Sequence, residues 1–225
     1  MRDLLVSTCP ACILAIAIVE IVLTVYMLRM YKRTKSIYAL GMALLTMGLV
    51  LDALVIDLGV IYTGALLKPI SRLRYICHGV LVPFLFPFSA HGLKLSEKVM
   101  KIVWGVTAVI MAAGLAANLT LGLEAKEVGI ITRYVEMEGS PAWVEAISGL
   151  LTFGAVIPLI ICGIIVWVKK KIPHMFLSGL FMFAFSALGP ATGNFDMIFY
   201  ISMYGELLMV LFFYLYERRV EKTTE

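Results

Sequence analysis

Apolar residues run through this chain in seven long stretches separated by short polar connections. Each stretch has about the 20 residues that an α-helix needs to cross a bilayer. The pattern predicts helices at roughly residues 10–30, 37–61, 73–93, 99–121, 142–168, 174–193 and 197–217. We therefore predict an all-α, polytopic membrane protein in which residues 1–225 form a single seven-helix transmembrane domain.

Composition and charge agree with this class. The chain is 61% hydrophobic and 15% charged, with a mean hydropathy of +0.96, whereas soluble domains are about a quarter charged. The net charge of +4 does not indicate a nucleic-acid partner, because the basic residues fall at the helix ends. The expected surroundings are a lipid bilayer, and we predict a multi-pass protein of the plasma membrane.

The distribution of Lys and Arg predicts the orientation, because cytoplasmic loops carry an excess of both residues. The first, third and fifth connections and the C-terminal tail hold 13 of the 19 basic residues, and the opposite side holds the other 6. This bias predicts an external N-terminus and a cytoplasmic C-terminus. The residues at the start of the third helix then face outward.

The third helix carries the most polar and helix-breaking chemistry, within the stretch Ser71–Leu95. Arg74 and His78 lie one turn apart, and buried cations or imidazoles in a membrane usually face a bundle interior or water. Pro83 and Pro87 each remove a backbone donor and free a carbonyl. We expect recognition or proton exchange at Arg74 and His78, and a helix break at Pro83 and Pro87.

Three acids are predicted to share one depth in the membrane. Glu20, Asp52 and Glu206 each lie about nine residues, or about 14 Å, below the outer end of their helix. Asp57 lies above that plane and about 140° around helix 2 from Asp52. We expect these groups to act as protonatable acids on a ligand or proton pathway. The alternative is that they are neutral acids that hydrogen-bond neighbouring helices.

Glycines favour an inward direction for Asp52. Gly41, Gly48, Asp52 and Gly59 share one face of helix 2, and small residues let another helix approach closely. With helices 1, 2, 3 and 7 side by side, the acids, Arg74 and His78 would line one polar pocket that is open to the outside.

Three functions remain open from the residues alone. The first is a protein that binds or transports a small solute or protons through this pocket. The second is a receptor-like sensor or membrane subunit that acts through a cytoplasmic or membrane protein partner. The third, an intramembrane enzyme, has no nucleophile–base motif to support it, and neither a G-x-S-x-G nor a P-loop is present.

Two further segments carry recognisable chemistry. Cys9 and Cys12 form a C-x-x-C at the head of helix 1, which is consistent with a redox pair, a metal ligand pair or ordinary apolar cysteines. The three histidines are too far apart to meet, so we predict no metal site. The β-branched and aromatic stretch from Val128 to Glu138 is typical of a small extracellular hairpin or lid.

The third helix resembles that of the microbial rhodopsins, which have an Arg-Tyr pair followed by a proline nine residues after the arginine. Arg74, Tyr75 and Pro83 stand at those positions. The resemblance implies a seven-helix fold with an external N-terminus. The family's retinal-binding lysine has no counterpart in helix 7, where Glu206 lies near that depth, so no retinal Schiff base and no other cofactor is expected.

The same stretch is similar to the seven-helix sensor region of some bacterial histidine kinases, which has a proline-rich, aromatic third helix. That resemblance implies a receptor-like architecture whose output lies in another protein. Both resemblances bear on architecture more than on activity.

Overall fold

The protein is described by a computed structural model that covers residues 2–193 and 195–222. Residue 1, residue 194 and residues 223–225 of the predicted domain lie outside the described residues. The side chains of Arg2 and Lys222, which both entered the charge count for the orientation, lie outside them as well.

Within the described residues, seven helices are long and apolar enough to cross a membrane, which confirms the predicted helical, multi-pass class. Their bounds are helix 1, Arg2–Thr34; helix 2, Ile37–Ile61; helix 3, Leu67–Gly92; helix 4, Glu97–Thr120; helix 5, Ala142–Lys170; helix 6, His174–Ala191; and helix 7, Ile198–Lys222. A short 3₁₀ turn, Phe195–Met197, precedes helix 7. Between helices 4 and 5, strands β1 (Leu123–Val128) and β2 (Ile131–Glu136) form an antiparallel hairpin in the region where a lid was predicted.

Helix 3 begins six residues earlier than predicted, at Leu67. Pro69 fits its first turn, where a backbone N–H has no partner within the helix. Arg72 therefore lies inside the helix rather than at its start. Its guanidinium is satisfied by the end of helix 4, where it donates to the carbonyls of Asn118, Leu119 and Leu121 at 2.9, 2.9 and 2.7 Å.

Two helices lose regular α geometry near a proline. Helix 3 narrows to a 3₁₀ turn at Val82–Phe84, around Pro83. Pro87 lies just past this turn, in the first turn of the helix that resumes at Leu85, and it cannot donate to the Pro83 carbonyl. Helix 5 widens to a π-helical turn over Leu150–Gly154, just ahead of Pro158, which cannot donate to the Gly154 carbonyl.

Helices that are adjacent in sequence pack side by side, and helix 7 closes the bundle against helices 1 and 6. The glycine face of helix 2 is used for close packing, as predicted. A Cβ atom at Gly48 would press on the Leu81 side chain of helix 3, and one at Gly59 would overlap the Thr132 carbonyl oxygen of β2. The hairpin therefore rests directly on the helix 2 backbone.

The two ends of the bundle differ in character. The hairpin end holds β1, β2 and the connection 62–66, and the basic end holds the connections 35–36, 93–96 and 171–173. In the basic half, an apolar core forms around Phe88, with the rings of Phe213 and Tyr216 at 4.2 and 5.7 Å, and helix 3 packs against helix 5. One cavity lies beneath the hairpin, and a second lies in the middle of the bundle.

Candidate functional site

A buried ion pair joins helices 2 and 3 near the hairpin end. Nε of Arg74 lies 3.0 Å from Oδ1 of Asp52, and only 5% of Arg74 is exposed. The same guanidinium lies over the Tyr75 ring at 4.6 Å and donates through Nη2 to the Tyr134 carbonyl at 3.5 Å. A cation in hydrocarbon is costly unless it is paired, so the ion pair with Asp52 lowers the free-energy cost of burying the Arg74 guanidinium.

The hairpin adds a second guanidinium to this region. Arg133 of β2 lies over the Phe199 ring at 4.1 Å, and its Nε is buried and has no hydrogen-bond partner among the described residues. Burial, followed by the positive charge of Arg74, lowers the pKa of Arg133. Glu136 of the same strand has a buried Oε1 that also lacks a hydrogen-bond partner within the part of the chain that the structure describes. An unsatisfied donor and an unsatisfied acceptor thus lie under the hairpin.

These groups surround a cavity of about 250 Å³, which we call the polar cavity. Two guanidinium groups and two carboxyl groups contribute to its wall, so the formal charges of its arginines and acids balance. Its lining residues are Asp52, Arg74, Tyr75, His78, Asn118, Leu121, Arg133, Glu136, Ser148, Leu151 and Thr152. The cavity lies between helices 2, 3, 4 and 5 and the hairpin. The predicted pocket lay between helices 1, 2, 3 and 7.

A second cavity of about 330 Å³, the apolar cavity, lies deeper in the bundle between helices 2, 3, 5, 6 and 7. Aliphatic and aromatic side chains form most of its wall, and Glu206 and Ser202 of helix 7 are among its few polar groups. His78, Leu151 and Thr152 line both cavities. The imidazole of His78 therefore stands at the junction of a charged chamber and an apolar one.

Both irregular helical turns border the apolar cavity. Val82 of the 3₁₀ turn and Leu151 and Phe153 of the π turn contribute to its wall. π turns within α-helices are frequent at functional sites. Pro83 lies within the 3₁₀ turn and Pro158 four residues after the π turn, so both prolines lie near backbone that borders the cavity.

The predicted acids divide into groups. Asp52 and Glu206 line the polar and the apolar cavity, respectively. Glu20 of helix 1 is 1% exposed and lines neither cavity. Asp57 lies apart from both cavities, in a groove of about 390 Å³ between the outer faces of helices 1 and 2.

Cys9 and Cys12 lie where helix 1 packs against helix 7. Cys9 and Cys12 are free thiols; Cys9 is buried, and Cys12 packs against the cluster that contains Tyr200, whose hydroxyl oxygen lies 2.7 Å from that of Tyr204. Among the described residues, no group of three or more His, Cys, Asp or Glu side chains could hold a metal ion.

Sequence reasoning missed Arg133 and Glu136. Arg133 was counted only as an external basic residue, although it stands between β-branched and aromatic residues in Ile131–Glu136. Because side chains alternate along a strand, Arg133 shares a face with Ile131, which is buried, and this spacing is a signal that the Arg133 side chain is partly covered. Which helices cover it depends on contacts between distant parts of the chain.

Two comparisons with known proteins found no match to this chain. No protein-family model matches it, and no curated protein matches it significantly. The function is therefore inferred from the geometry of the two cavities.

Proposed function

We propose that this protein binds a small amphipathic solute in the joined polar and apolar cavities and moves it across the plasma membrane. The polar head of the solute occupies the polar cavity, and its apolar body passes His78 into the apolar cavity. The two cavities together enclose a volume within the range of small-molecule sites, which is about 300–1,000 Å³. The N-terminus and the hairpin face the outside, in accordance with the charge bias.

The observation that carries this proposal is the unpaired hydrogen-bonding capacity beneath the hairpin. A buried donor or acceptor without a partner costs about 1–3 kcal/mol, so Arg133 Nε and Glu136 Oε1 favour a ligand that satisfies both. A solute with an acceptor such as a carboxylate and a neighbouring donor meets that requirement. Guanidinium groups are well suited to such an acceptor, since they present several donors in a planar fork.

Transport, rather than binding alone, is supported by Glu206 and by the two irregular turns. Glu206 is a carboxyl group in the wall of the apolar cavity and can carry a proton alongside the solute. The 3₁₀ and π turns interrupt helices 3 and 5 beside that cavity. A change of backbone geometry at these turns would alter how the cavity connects to its surroundings. We expect Glu206→Gln to abolish solute-coupled proton flux in proteoliposomes while the protein still folds and binds. Flux like that of the wild type would contradict the assignment.

Native mass spectrometry of the protein purified gently from its own membrane tests the binding step. We expect a bound small molecule in the wild type and its loss in Arg133→Gln. Lys126→Gln is the matched control, because Lys126 pairs with Arg133 in the hairpin register but is exposed and contacts Asp196 at 2.9 Å. Equal retention in both variants would contradict the proposed site. A molecule that binds at Arg133 but is not transported would indicate a sensor.

A further inference from the structure

A charged groove lies at the basic end, between helices 1 and 7 and away from both cavities. It encloses about 680 Å³. Its wall contains three guanidinium groups and one carboxyl group, which gives a formal charge of +2. The lining residues are Tyr26, Arg29, Met30, Arg33, Tyr214, Arg218 and Glu221.

The single carboxyl group in the groove is already engaged. Glu221 is 12% exposed and pairs with Arg33 at 2.5 Å. Among the side chains that the structure describes, Arg29 and Arg218 have no carboxylate within ion-pair distance. Arg29 instead lies 6.0 Å from the centre of the Tyr26 ring. Two guanidinium groups are thus available to an anion from outside the chain.

The position of the groove identifies the source of that anion. The rings of Tyr26 and Tyr214, 5.7 Å apart, form part of its wall, and tyrosines are enriched where the hydrocarbon meets the headgroups. Toward the middle of helix 1, the apolar residues Val22 and Val25 are 46% and 42% exposed. Such a surface suits acyl chains. A soluble phosphate ester has the same charged group but gains nothing from this apolar surface.

We propose that this groove binds the headgroup of an anionic phospholipid. The phosphate lies between Arg29 and Arg218, the tyrosine rings stand at the glycerol level, and the acyl chains follow the exposed apolar face of helix 1. Basic pockets between transmembrane helices are a recognised way of holding anionic headgroups. The proposal concerns a different site from the solute cavities and does not depend on transport.

The test compares lipid binding by the delipidated full-length chain in detergent, measured by native mass spectrometry. We expect phosphatidylglycerol to bind more tightly than phosphatidylcholine. Arg29→Gln combined with Arg218→Gln should weaken phosphatidylglycerol binding about thirty-fold, since each basic residue near anionic lipid contributes on the order of a five-fold change. If the double variant does not fold, either single substitution should weaken binding about five-fold.

The matched control is Lys98→Gln combined with Lys101→Gln, which removes the same charge from exposed positions at the same end of the bundle. We expect this control to bind phosphatidylglycerol like the wild type. An equal loss in both double variants would overturn the proposal in favour of diffuse attraction, and so would no loss in the arginine variant. Displacement of the lipid by millimolar inorganic phosphate would show that the groove holds a soluble anion, which also overturns it.

Discussion

Replacement of Asp52 by asparagine should destabilise the bundle because it leaves Arg74 buried without a counter-charge. Arg74 is 5% exposed, and Asp52 is the carboxylate that lies 3.0 Å from its Nε. Its other described contacts are a carbonyl at 3.5 Å and an aromatic ring, and neither carries a full negative charge. The change should therefore affect the free energy of unfolding rather than the local geometry alone.

The magnitude follows from the burial of the two partners. Breaking a buried ion pair by removing one partner costs about 3–5 kcal/mol. The Asp52 side chain is 21% exposed, and an asparagine oxygen can still accept a hydrogen bond, so the lower part of the range applies. We expect Asp52→Asn to lower the free energy of unfolding by about 2–3 kcal/mol.

Equilibrium unfolding by SDS titration in mixed micelles measures this loss. Asp57→Asn is the matched control, because it makes the same substitution on the same helix in the groove outside the cavities. It should change stability by less than about 0.5 kcal/mol. In combination with Arg74→Gln, Asp52→Asn should cost less than the sum of the two single changes, with a coupling of about 1–3 kcal/mol. Equal effects at Asp52 and Asp57, or purely additive effects at Asp52 and Arg74, would refute the reasoning.

Two further predictions concern the hairpin and the orientation. Gly59→Val should displace the hairpin, because the new side chain would overlap the Thr132 carbonyl, and thermal unfolding should show that the free energy of unfolding falls by about 1–3 kcal/mol. Gly105→Ala is the control and should be tolerated, because a Cβ at Gly105 meets open space. Equal losses in the two variants would exclude this contact. The orientation can be tested in a variant whose native cysteines are replaced by alanine. An impermeant maleimide should label Glu138→Cys in intact cells and should label Lys98→Cys only after permeabilisation. The reverse labelling pattern would show that the proposed topology is inverted.

The helices could be predicted wherever local signals define their ends. Helix 2 occupies the predicted residues 37–61, and Ser36 caps its start by accepting a hydrogen bond from the Ala39 N–H at 3.3 Å. The start of helix 3 was misplaced because Arg72 was taken as a polar boundary. Inside the helix, the cost of burying the Arg72 guanidinium is offset by hydrogen bonds to carbonyls at the end of helix 4, about 46 residues away in sequence. No local sequence pattern reveals that contact.

The candidate site could be predicted only in part for the same reason. Asp52, Arg74 and His78 come from two neighbouring helices. The glycine face of helix 2 indicated that Asp52 would face the bundle interior, and the cost of a cation or imidazole in hydrocarbon indicated the same for Arg74 and His78. Arg133 and Glu136 reach the polar cavity because the hairpin folds back over helix 2, which depends on long-range packing.

The most direct test of the solute site is an experimental structure of the protein purified from its own membrane, at a resolution that shows ligands. We expect non-protein density that contacts both Arg133 and Glu136 and extends past His78 into the apolar cavity. A polar cavity filled by ordered water alone, with Arg133 turned toward solvent, would contradict the proposed binding site.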